Sequence, residues 1–110
     1  MRVLFVEDHQ EFARTVAAEF LGAHEVTFAA DVRAGKLLLS AREFDVLLVD
    51  HDLPDGVGTE VVAHALAIGR PIDIVAVSSH DAGNAALVRA GARASCPKRL
   101  FHTIAAVLAG

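Results

Sequence analysis

Two apolar runs, Val3-Leu4-Phe5-Val6 and Val46-Leu47-Leu48-Val49, each stop abruptly at acid: the first at Glu7-Asp8, the second at Asp50. Continuous apolar runs of this length suit strands buried on both faces, as in a parallel sheet. Between them, Phe12, Val16 and Phe20 recur at helical spacing, and Gly22 offers a stop. Residues 24–29 alternate weakly and suit a second strand. Asp31 can then cap a helix carrying Ala34, Leu37, Leu38 and Ala41, which must end near Phe44. After the third strand at 45–49, Val57, Val61, Val62, Ala65 and Leu66 mark another helix, broken at Gly69-Arg70-Pro71. Ile72 to Val77 reads as a fourth strand, Ala85 to Ala90 as a short helix and Ala92 to Cys96 as a weak fifth strand. Ile104, Val107 and Leu108 mark the last helix. Strands alternating with helices predict a parallel sheet covered on both sides.

The chain's 110 residues suffice for one domain, 1–110, with a single core and no second domain. Hydrophobic residues make up 54% and charged residues 22%, so such a core can be buried. The net charge of -4, with no run of basic residues, disfavours direct nucleic-acid binding, which requires phosphate neutralisation. Cys96 is the only cysteine and has no internal disulfide partner, which fits a reducing, cytoplasmic setting. No signal peptide is visible, and no apolar stretch approaches the ~20 residues of a membrane helix, so no membrane association is expected.

If the first and third strands are parallel neighbours, Glu7, Asp8 and Asp50 meet at the carboxyl edge of the sheet, where open α/β folds bind ligands. Three carboxylates repel one another unless a cation joins them, and an all-oxygen donor set suits Mg²⁺. The chemistry this points to is phosphoryl transfer to a carboxylate. Taken singly, each feature has a plainer account: an acidic pair can simply favour a helix start, Ser78-Ser79 can be a turn, and Lys98 can be a surface lysine. His51 and His80 flank the proposed site without ligand spacing and read as loop histidines. Gly56 and Gly58 read as turn and helix-entry residues, since no lysine-serine end follows to make a phosphate loop. Cys96 reads as a small core residue.

Four segments change that weighting by their order and spacing: Val6-Glu7-Asp8; Leu48 to Gly58; Val77-Ser78-Ser79; and Ala90-Gly91-Ala92 leading to Lys98. Together they resemble the receiver domain of bacterial two-component response regulators over nearly the whole chain. The resemblance implies a doubly wound five-stranded parallel sheet of flavodoxin-like order 2-1-3-4-5, with helices on both faces. It implies that Asp50 accepts a phosphoryl group from a sensor histidine kinase or histidine phosphotransfer protein. Asp8 and Asp50, with Glu7 through water, would hold Mg²⁺, assisted by the backbone carbonyl of Asp52; the Asp52 carboxylate is a further candidate toward metal-bound water. Lys98 would bind the phosphoryl oxygens, and Ser78 would move toward them as the switch. Such a chain is a signalling phosphoacceptor rather than an enzyme turning over a free substrate. Its output would go to a downstream effector or a fused output domain, and a homodimer is one form open to it. The chain reads as either a stand-alone regulator or the amino-terminal part of a longer one.

The sequence departs from the usual receiver pattern in four places. Pro97 precedes Lys98 rather than following it, which places any cis X-Pro bond at Cys96-Pro97. Ser95 stands where receivers often carry a large aromatic, so a buried aromatic is not expected to transmit the signal. The stretch from Ser78 to Lys98 is short, on the side that receivers commonly use for output. Asp52 adds a carboxylate next to the nucleophile. Three other readings use the same residues. The Asp50-x-Asp52 pair resembles haloacid-dehalogenase-like phosphatases, but Pro54 replaces their usual threonine and residues 51–110 are too few for the rest. Glu7 with Asp50-x-Asp52 resembles Toprim nucleases, against the acidic balance. A receiver-like interaction module that has lost phosphorylation is the third.

Overall fold

In a computed structural model describing all residues from Met1 to Gly110, five parallel strands form one sheet. The elements are β1 (Arg2–Val6), α1 (Gln10–Phe20), β2 (Glu25–Ala29), α2 (Val32–Ala41) and β3 (Val46–Val49). A two-residue hairpin of β4 (Asp52–Leu53) and β5 (Gly56–Val57) leads into α3 (Gly58–Ile68). Then follow β6 (Asp73–Ala76), α4 (Asp81–Ala90), β7 (Ala94–Ser95), a 3-10 segment over Lys98–Thr103, and α5 (Ile104–Ala109). The sheet order is β2-β1-β3-β6-β7. With the hairpin set aside, this is the expected order 2-1-3-4-5.

Side chains alternate across each strand and so divide the core in two. Leu4, Val6, Leu47, Val49, Ile74 and Ala76 pack against α2, α3 and α4 through residues such as Leu39, Val62 and Leu87. On the opposite face Val3, Phe5, Val46, Leu48 and Val75 meet Ala13, Ala17, Phe101 and Ile104 of α1, the 3-10 segment and α5. The apolar runs of β1 and β3 are thus buried on both faces, as their composition requires. Phe101 stacks on Phe5, with ring centroids 5.6 Å apart, and anchors the carboxyl-terminal segment to the sheet.

Asp31 caps α2 as expected, its carboxylate accepting a hydrogen bond from the Ala34 N–H at 2.8 Å. The differences from the sequence expectation lie mostly in the second half of the chain. Helix α4 begins at Asp81 rather than Ala85, because its first turn buries Gly83 and Asn84 instead of apolar side chains. The fifth strand shrinks to Ala94–Ser95, and Pro97, which has no N–H to extend a ladder, follows soon after. Lys98 opens the 3-10 segment. The Cys96-Pro97 bond, like every other in the chain, is trans. Cys96 is buried as expected, just beyond the strand.

Candidate functional site

Register brings the acidic strand ends together. Val6 pairs with Val49, and Val49 with Ala76, so the next residues, Glu7, Asp50 and Val77, stand at one height on the carboxyl edge of the sheet. Backbone bonds extend the ladder that far: Asp50 N–H donates to Val6 O at 3.0 Å and Val77 N–H to Val49 O at 2.8 Å. Carboxylate oxygens of Glu7, Asp8 and Asp50 lie within 4.8 Å of one another. Glu7 is fully buried, Asp50 nearly so, and Asp8 opens to solvent. The group is therefore a pocket of charge with one exposed mouth.

One cation already faces these groups. Lys98 Nζ donates to Asp50 Oδ2 at 3.0 Å and approaches Glu7 Oε1 to 2.5 Å. The Glu7 approach is an ion pair without hydrogen-bond geometry, and it leaves the buried Oε1 with no hydrogen-bond partner. Burial pushes the Glu7 carboxyl up, and the Asp50 charge adds to this. Lys98 and the His9 N–H reverse only part of the rise, which reaches about 7. Burial acts against the Lys98 charge, but Glu7 and Asp50 outweigh it and raise the ammonium above its ordinary range. The Lys98 ammonium also lies 5.3 Å from the centre of the Phe12 ring. Phe12 was legible only as a helix-face residue; nothing in its spacing marks it as a neighbour of the lysine.

The segment after Asp50 is fastened from three directions. Asp50 Oδ1 accepts from the His51 N–H at 2.8 Å, and Gly58 N–H donates to His51 O at 2.7 Å. A Cβ on Gly58 would fall 1.9 Å from the Asp50 carbonyl oxygen, so only glycine lets α3 start this close. The Asp55 carboxylate accepts from Val32 N–H at 2.8 Å and Arg33 N–H at 3.0 Å, closing the first turn of α2. These bonds, that from Val32 foremost, hold the Asp55 carboxyl below its ordinary range. Asp52 stands apart: its exposed carboxylate pairs with His51 Nδ1 at 3.1 Å and is not among the three that converge.

Ser78 follows β6 beside the third strand's end and is buried. Its hydroxyl accepts from the His80 N–H at 3.2 Å. Its backbone is held by a residue the apolar pattern did not single out: Asn84 Oδ1 accepts from Ser78 N–H at 2.9 Å, and Asn84 Nδ2 donates to Ser78 O at 3.1 Å. Lys98 N–H donates to the same carbonyl at 3.2 Å. Ser95 is exposed, and a groove between α4 and β7, lined by Asn84, Val88, Ser95 and Pro97, lies open there. The structure thus gathers Glu7, Asp8, Asp50 and Lys98 at one point, sets Ser78 just beyond the end of the adjoining strand β6, and leaves the Asp52 side chain outside.

No family model matches the sequence, and no curated protein does. Solved structures do match. A CheY-like response regulator receiver domain protein from Methanospirillum hungatei JF-1 superposes with a TM-score of 0.87 at 22% identity, over 98% of this chain and 90% of that one. The signal receiver domain of a response regulator, NarL, from Mycobacterium tuberculosis gives 0.82 at 26% identity, over 98% and 94%. The response regulator TrrA from Thermotoga maritima, solved with Mg²⁺ and a beryllium fluoride, gives 0.76 at 17% identity, over 86% and 83%. The chain has the CheY-like fold of response regulator receiver domains.

Proposed function

We propose that this chain is a working phosphoacceptor receiver, taking a phosphoryl group on Asp50 from a phosphohistidine of a kinase or phosphotransfer protein. The observation that carries this reading is the placement of Asp50, held by Lys98 and flanked by Glu7 and Asp8, at the carboxyl edge of a receiver-type sheet. An Asp50 carboxylate oxygen would attack phosphorus, forming the O–P bond of an acyl phosphate while the P–N bond to the donor imidazole breaks. The imidazole leaves as the neutral ring after taking up a proton. Lys98, now on Asp50 Oδ2, is placed to follow the charge onto the phosphoryl oxygens.

The donor set fits Mg²⁺ by its chemistry: three carboxylates converge, with a single ammonium against them. Asp8 and Asp50 would hold the ion with Glu7 behind them, and bound Mg²⁺ would supply positive charge to the incoming phosphoryl group. The Asp52 carboxylate, exposed beside His51, can act only toward solvent or metal-bound water. No helix is long and apolar enough to cross a membrane; the cytoplasm is the compartment proposed, where phosphohistidine donors operate. An effector protein or fused output domain would read the phosphorylated state, with a homodimer as one form of that readout.

A second reading has its own observation. The truncated β7 and the open groove at Ser95 favour a receiver-like module that binds partners without switching. Acetyl phosphate with Mg²⁺ separates the two. The working receiver gains one phosphoryl group by intact mass, labile to hydroxylamine and absent in Asp50→Asn; the non-phosphorylated module gains none.

A further inference from the structure

Helix α4 is tied to the site through one side chain, Asn84. Asn84 is a buried polar residue on a face otherwise made of Gly83 and Leu87. A buried amide is retained at a cost unless both its oxygen and its nitrogen find partners. Both do, and both partners belong to one residue: the N–H and the C=O of Ser78. The orientation of the amide is fixed by that pairing, since a backbone N–H requires an acceptor and a backbone C=O a donor. Gly83 brings the helix closer still, for a Cβ there would lie 2.8 Å from the Ser78 hydroxyl and 2.9 Å from His51 Cβ. The first turn of α4 is therefore joined to the Ser78 peptide by two hydrogen bonds and packed directly on its side chain.

The other side of the helix lacks such a hold. Ser95 is too small to fill the groove between β7 and α4, and no aromatic side chain stands there to change rotamer. The Ser78 carbonyl, in contrast, is shared by Asn84 of α4 and the backbone N–H of Lys98, so one peptide links the helix to the lysine that binds Asp50.

We infer that Asn84 is the positioning residue through which this chain transmits its signal: its amide makes the Ser78 peptide and the start of α4 move as one body. The inference rests on the proposed phosphoacceptor role and deepens it by naming the path of output. Displacement of Ser78 toward a phosphoryl group on Asp50 would carry α4, and with it the exposed Asp81, Ala85 and Arg89 side of the groove, rather than turn an aromatic ring.

The test loads the intact protein with Mg²⁺ and beryllofluoride, with bound fluoride read by fluorine NMR and α4 by its amide shifts. In the parent, loading should shift the amides of Ser78 and of residues 81–90 together. Asn84→Ala should load to the same extent, yet lose more than half of the α4 shift while the Ser78 shift persists. A purely structural asparagine would lower stability without uncoupling the two shifts. An unchanged α4 response in the loaded variant overturns the inference while leaving the phosphoacceptor standing. A parent that does not load overturns the receiver reading and this inference with it. Should Asn84→Ala fail to fold, hydrogen exchange in the parent decides: Ser78 N–H and the first-turn amides of α4 should change protection in concert on loading. A change at Ser78 alone contradicts the coupling.

Discussion

The two halves of the carboxyl edge are built to different standards. Around β1 and β3, all but the exposed Asp8 is buried or held: Glu7 lies inside, Asp50 is bonded by Lys98 and His51, and Gly58 packs against the Asp50 carbonyl. Around β6 and β7, the last strand has two residues, a small exposed Ser95 fronts an open groove, and α4 is held by Leu87 and the Asn84 amide. On the proposed function, Asp50 is a nucleophile that works only at fixed distances from its counter-charges, so this capturing half should tolerate little change. On the same proposal, the other half reads the site through a movable element, which can be coupled in more than one way.

The largest expected effect strikes the fixed half. Gly58→Ala places a methyl group where the Asp50 carbonyl oxygen already is, a backbone clash that no rotamer relieves. Urea unfolding should show a loss of about 3 kcal/mol or more, at the upper end for single substitutions. A loss under ~1 kcal/mol would mean that α3 can shift freely and that the capturing half is not rigid.

Next in size is the response to metal. Mg²⁺ at about a hundredfold excess over its Kd should add ~2.7 kcal/mol of stability, seen as a rise in Tm. Asp8→Asn should abolish the rise and, since it relieves repulsion, melt no lower than the parent in the absence of metal. A Tm unmoved by millimolar Mg²⁺ in the parent would count against the carboxylate site.

Without metal, Glu7 should impose a pH dependence of its own. Its carboxyl rises from an ordinary 4.5 to about 7 in the folded chain, so between those values the native state binds more protons than the unfolded state. Its contribution to stability is full below 4.5 and falls as pH climbs to about 7, with a slope of at most ~1.4 kcal/mol per pH unit. Glu7→Gln should flatten that part of the profile; identical profiles for the two proteins would show that burial does not disfavour the charge. The smallest effect is expected in the open half. Ser95→Phe should change stability by no more than ~0.5 kcal/mol and leave phosphorylation of Asp50 as it is, the mark of a position remote from capture.

The legibility of the sequence followed the same division. Apolar runs that end in acid are visible without a structure because burial on both faces demands unbroken apolar residues and the strand end demands a change of chemistry. Those runs placed Glu7, Asp8 and Asp50 on one edge, and the structure gathers them there. The second half was harder to read because its determinants are polar or small. Periodicity sees apolar side chains, so a helix whose first turn buries Gly83 and Asn84 is read as starting a turn late. Phe12 beside Lys98 and Asn84 beside Ser78 are pairings across distant segments, and no local spacing announces them.

The claim that Asp50 is the phosphoacceptor is tested most directly by locating the modification. The protein is treated with acetyl phosphate and Mg²⁺, reduced with borohydride, which converts an aspartyl phosphate to homoserine, and sequenced by tandem mass spectrometry. The account predicts homoserine at position 50 and at no other carboxylate. Homoserine at 52 or 8, or none at all under conditions where Mg²⁺ raises the Tm, would contradict it.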